Sequence, residues 1–151
     1  MKKIFSLFQV IALMSFALFQ SANAADAVYT SYFSDKAAGG YDVVAYFTEN
    51  KPVEGSSKYQ LEYNGADWYF SSAEHLALFK NNPEKYAPQY GGYCAWAMAG
   101  NDTAPGKPAF WSVYNDKLYL NYDQSIQDAW VADKDGFIKK ADLNWSTLDK
   151  E

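Results

Sequence analysis

The sequence predicts an α+β fold, a small single domain with two β-hairpins and several short helices. Three observations carry that prediction. Tyr59, Leu61 and Tyr63 alternate with polar neighbours up to Asn64-Gly65, and Trp68-Tyr69-Phe70 resumes beyond it. Residues 110–114 and 117–122 flank Asn115-Asp116 in the same way. Apolar residues then recur at helical spacing in residues 72–80 and from Ile126 to the end of the chain. Period-2 runs around a turn signal mark hairpins, and a 3.6 period marks helices. Hairpins mixed with short helices fit α+β rather than a doubly wound sheet.

Taken in order, residues 1–24 read as a signal peptide. Lys2 and Lys3 form a positive start, the apolar run 4–19 is broken only by Ser6, Gln9 and Ser15, and Ala22-Asn23-Ala24 is a small-residue cleavage site. The run falls short of the roughly 20 residues of a membrane span. The expectation is a periplasmic or secreted protein with no membrane span, beginning at Ala25. Its 127 residues suit one domain. Against 18 acidic residues stand 11 lysines and no arginine, a formal charge of −7. That balance argues against nucleic acid and anionic lipid, whose phosphates need a positive surface. No internal repeat, low-complexity tract or charge block is visible, so no further boundary is expected.

Residues 25–38 read as a poorly fixed lead-in and residues 39–147 as the domain. Gly39-Gly40 is a turn. Residues 41–47 fit a strand by their valines, or a short helix capped by Asp42. Lys51-Pro52-Val53-Glu54-Gly55 ends that element. Asn64-Gly65 predicts a two-residue hairpin turn with positive φ at both positions. Ser71-Ser72-Ala73-Glu74 reads as a capping box with Ser71 at the N-cap, followed by a helix to about Lys80. Pro83 opens a short helical turn. Near the end, Ile126, Ala129, Trp130 and Asp133 share a helical period. Gly136 punctuates, and a last helix runs through Phe137, Ile138, Ala141 and Trp145.

The single cysteine sits in Gly91-Gly92-Tyr93-Cys94-Ala95-Trp96-Ala97-Met98. Thiolate and thioether are soft ligands suited to Cu(I), and on a helix Cys94 and Met98 would share a face. A helix N-terminus would also favour the thiolate. A lone cysteine forms no disulfide within the chain, leaving a buried thiol, a metal ligand, or a bridge between chains. His75, the only histidine, lies on the side of Leu78 and Phe79 as a metal ligand or a satisfied half-buried ring. Asp42, Asp67 and Asp102 read as turn or cap residues. All 13 tyrosines and 5 tryptophans fall after residue 24. They fill a thin core or line an aromatic ligand surface.

Several runs resemble the exported YHS-domain family. They are Gly40-Tyr41-Asp42-Val43-Val44-Ala45-Tyr46-Phe47, Tyr69-Phe70-Ser71-Ser72-Ala73-Glu74-His75, Asn82-Pro83-Glu84-Lys85-Tyr86 and Ala87-Pro88-Gln89-Tyr90-Gly91-Gly92-Tyr93-Cys94-Ala95-Trp96. The resemblance covers most of residues 39–145. It implies a short α+β module of a kind found in copper-transporting ATPases and multicomponent hydroxylases, with cysteines near the opening motif and after the aromatic strand. Here the opening around Asp42 and Val43 has no cysteine, and the later two positions are Ser71 and His75. Three functions follow. The first is an exported binding module for a soft metal, copper, through Cys94, His75 and Met98. The second is a metal-free module that uses its aromatic surface for a small ligand or a protein partner. The third is a thiol enzyme with Cys94 as nucleophile and His75 as base, for which no orienting group or oxyanion donor is recognisable.

Overall fold

A computed structural model describes residues 25–148 and Lys150, so the signal peptide lies outside the described residues. A 3-10 turn at Ala37–Gly40 leads into α1 (Ala45–Thr48), and β1 (Ser56–Tyr63) pairs antiparallel with β2 (Ala66–Phe70). Helices α2 (Ala73–Asn81) and α3 (Pro83–Tyr86) follow. A second 3-10 turn, Gln89–Gly92, leads into α4 (Ala95–Ala99). Strands β3 (Lys107–Tyr114) and β4 (Lys117–Asn121) form the second hairpin, and α5 (Gln124–Ala132) and α6 (Lys134–Thr147) close the chain.

Local chemistry explains the punctuation. Asn64 and Gly65 have φ of 51° and 76°, and Asn115 and Asp116 have 50° and 57°, the left-handed pair that a two-residue turn needs. Asn82 caps α3 through Lys85 N–H with Pro83 at its first position. Two boundaries differ from the sequence reading. The N-cap of α2 is Ser72, whose hydroxyl accepts from His75 N–H, because Ser71 is turned inward to Asp42. Gly136 lies inside α6 rather than at its edge. The break is at Asp133, which caps Gly136 N–H so closely that a Cβ there would strike the carboxylate.

The structure also contains a repeat that the sequence hides. Each half runs from a 3-10 turn through a short helix and an eight-plus-five-residue hairpin to a nine-residue helix. Ser56 pairs with Phe70 as Lys107 pairs with Asn121, and every later pair is displaced by the same 51 positions, including the bulge that follows the first. Tyr41 bridges Glu54 as Tyr93 bridges Pro105. Asp42 N–H donates to Val53 at 2.8 Å as Cys94 N–H donates to Ala104 at 2.8 Å. Cys94 therefore occupies in the second half the place that Asp42 occupies in the first.

Two apolar clusters form one body through β4. Leu118 and Leu120 point into the cluster of Trp68, Phe70 and Phe79, whereas Tyr119 points into that of Tyr90, Met98 and Trp130. Side chains alternate across a strand, so a single strand serves both cores. The lead-in is tied down as well. Val28 and Ala37 are buried in the first cluster, and Tyr29 N–H donates to Gly91 at 2.8 Å.

Candidate functional site

The polar centre of the first half is Asp42, completely buried just after the first 3-10 turn. Its Oδ1 accepts from Val44 N–H (2.9 Å) and Ala45 N–H (3.3 Å), which caps α1. Its Oδ2 accepts from Ser71 N–H (2.8 Å), Ser71 Oγ (2.6 Å) and His75 Nδ1 (2.6 Å). A carboxylate buried at this depth needs such partners. β2 delivers Ser71 at its end and the first turn of α2 delivers His75, so three elements meet on one oxygen.

The acceptor-only carboxylate fixes the tautomer of His75. Nδ1 carries the proton toward Asp42, which makes Nε2 the outward nitrogen. It lies 3.2 Å from Thr48 Oγ1 at the exposed end of α1. The Thr48 hydroxyl also reaches the Val44 carbonyl at 3.2 Å and has one proton for the two acceptors. His75 is 9 % exposed, so the ring is held inside while its outer nitrogen reaches the surface layer. Metal-binding histidines are held in this way, with the far N–H on a carboxylate and the other nitrogen free to ligate.

Cys94 lies elsewhere in the hydrogen-bond network. It is 1 % exposed, and its thiol donates to Asn121 Oδ1 at 3.6 Å. Trp96 N–H donates to the same oxygen at 3.2 Å. That bond orients the amide, and Asn121 Nδ2 is buried without a partner among the described residues. Met98 is buried in the second cluster and joined to Cys94 by Met98 N–H to the Cys94 carbonyl at 3.0 Å, the helical spacing expected of the pair. α4 is only five residues long. No hydrogen bond joins Cys94 to His75, and the partners of the two residues are disjoint. Among the described residues, no three His, Cys, Asp or Glu side chains gather to hold a metal ion.

His75 stands out in the sequence as the lone histidine, and the residues that hold it do not. Asp42 read as a cap, which is half of its role. The other half depends on residues about thirty positions away. Thr48 and Asn121 carried no signal beyond ordinary polarity.

Burial has further electrostatic effects. Desolvation, with Tyr41 and Asp42 adding to it, pushes the Tyr46 hydroxyl well above its ordinary value; that hydroxyl donates to the Pro108 carbonyl at 2.9 Å across the two halves. Desolvation and the bond to Asp142 (2.9 Å) do the same to Tyr90, and burial pushes Tyr119 up to about 12.

Residues 44–90 match the family model of the YHS domain, a family associated with metal and with copper in particular. The match begins two residues after Asp42 and runs through β1, β2, α2 and α3 into the second 3-10 turn. No curated protein and no solved structure matches the chain. Among the described residues, no helix is long and apolar enough to cross a membrane.

Proposed function

From the match of residues 44–90 to the YHS domain, and from the setting of the chain's one histidine, we propose that the protein is a binding module that holds a metal ion at His75, with copper taken as Cu(II). The single observation behind this reading is the 2.6 Å contact between His75 Nδ1 and the buried Asp42. Imidazole and oxygen donors suit Cu(II), whereas Cu(I) prefers thiolate and thioether. His75 Nε2 is the ligating atom, Asp42 holds the ring, and Thr48 and water complete the shell. Export through residues 1–24 belongs to the same proposal and places the module in an oxidising compartment, where copper is cupric. Intact-mass measurement of exported protein beginning at Ala25 tests that part.

The soft-metal alternative uses Cys94 with Met98 as Cu(I) donors. Titrations of the chain from Ala25 onward with Cu(II), and anaerobically with Cu(I), separate the two. Under the His75 reading, His75→Ala removes saturable Cu(II) binding, and Asp42→Asn weakens it by about 10–100-fold. Cys94→Ala leaves it unchanged. Cu(II) affinity falls with pH because protons compete for Nε2. Equal Cu(II) affinity in wild type and His75→Ala overturns the proposal. Loss of Cu(I) binding in Cys94→Ala, with His75→Ala unaffected, replaces it with the thiol-centred site.

A further inference from the structure

We propose that the cleft between the first 3-10 turn and the start of β3 binds a small organic carboxylate with a flat, largely apolar body. Four cavities on the described residues are lined by carboxylates and no lysine, in keeping with an acidic chain. A further one reverses the pattern, with Lys36 and Lys107 in its lining and no carboxylate. Its volume of about 310 Å³ lies at the small end of ligand pockets, which span about 300–1,000 Å³.

Both ammonium groups are held without being neutralised. Lys107 Nζ sits 4.0 Å from the centre of the Tyr122 ring, and Lys36 Nζ sits 5.1 Å from that of Tyr69. An aromatic face attracts a cation but adds no negative charge, so the positive field stays available to a ligand. Neither lysine has a carboxylate within 4 Å among the described residues. Asp123, which also feels Lys107, is held below its ordinary value first by Ile126 N–H and then by the Ser125 hydroxyl, with Lys107 the weakest of its causes. It is committed to capping α5.

The rest of the lining specifies the ligand's body. Tyr29, Tyr122, Pro105 and Pro108 give flat apolar walls, and Ser31 adds one hydroxyl. With no arginine fork in the chain, the site suits one carboxylate met by point charges rather than a phosphate gripped on several oxygens. Gly39, at φ +62°, lets the first turn approach Pro108 closely enough that a Cβ would lie 3.3 Å from Cγ. The cleft is thus built by both halves of the repeat and does not overlap the His75 site.

The test uses the chain from Ala25 onward in an amide-resolved NMR titration with benzoate and with benzamide, its neutral counterpart. Benzoate should shift the amides of Gly39, Gly106 and Tyr122 saturably and bind about tenfold tighter than benzamide, the scale of a charge-assisted contact. Lys107→Met and Lys36→Met should each weaken benzoate several-fold while leaving benzamide unchanged. Two separate surface variants guard against a folding artefact in either one. Equal affinity for benzoate and benzamide overturns the proposal. So do unchanged benzoate affinity in both lysine variants, shifts confined to other cavities, or no saturable shift.

Discussion

The two halves of this molecule share a backbone and differ at its centre. After each glycine turn the chain enters through the same bridge, and the next residue donates its N–H at the same distance. In the first half that residue is Asp42, with five hydrogen bonds converging on its carboxylate. In the second it is Cys94, with one long bond from its thiol. The position of the centre is fixed by backbone geometry, and its chemistry is left to the side chain. The polar centre holds an imidazole at the surface layer, and the apolar one seals its thiol inside.

The largest test of that contrast is Asp42→Ala. It strands Ser71, His75 and the Val44 N–H, while Ala45 N–H keeps the Asp42 carbonyl, and should cost about 3–5 kcal/mol, the scale of breaking a buried charged network. Cys94→Ala, at the equivalent place, should cost only about 1 kcal/mol, one weak hydrogen bond and one sulfur atom. Urea unfolding of both variants checks this, and similar costs would break the comparison. Next comes Leu120→Ala, expected at about 2–5 kcal/mol as a large-to-small core change. Because β4 serves both clusters, unfolding followed by far-UV and near-UV dichroism should remain one transition. Two separated transitions would show halves that fold independently.

The pH response sharpens the comparison differently. Tyr90, Tyr93 and Tyr119 of the second half are raised, each chiefly by burial, and so is Tyr46 in the first. Their folded values lie above the unfolded value near 10, so the folded state keeps protons that the unfolded chain releases. Their contribution is complete below about pH 10 and is lost as pH rises through the folded values. The Tyr119 part is exhausted above about pH 12. Urea midpoints should fall from pH 10 upward, and less steeply in Tyr119→Phe. The smallest effect expected is at the hairpin turns, where Gly65 corresponds to Asp116. Asp116→Gly should stabilise by about 0.5–1 kcal/mol by relieving a left-handed φ of 57°. Gly65→Val should destabilise through φ alone, because the space around its Cβ is empty. Thermal melts of the two variants check both signs.

What the sequence disclosed was local. Asn64-Gly65, Asn115-Asp116 and Asn82-Pro83 each carry their conformation in adjacent residues, and each element was legible from them. The N-cap of α2 was read one residue early, because Ser71 answers to an aspartate 29 positions away. His75 stood out as the lone imidazole, yet the carboxylate that orients it lies 33 positions upstream. The repeat was hidden for a related reason. The halves share Gly-Gly-Tyr before their centres and Tyr-Asn at their hairpin turns, but most of what matches is strand register and turn geometry.

The double duty of β4 sets a lower limit on how little of this chain can stand alone. A fragment ending after the second glycine turn would contain the whole span that matches the YHS family, His75 included, and Asp42 just before it. It would lack Leu118 and Leu120, which plug the cluster around Trp68 and Phe79. Such a fragment would expose its aromatic interior and associate with other chains rather than persist as a monomer. Anyone trimming the protein to a minimal fragment should therefore retain the second hairpin, although it supplies none of the atoms proposed as ligands.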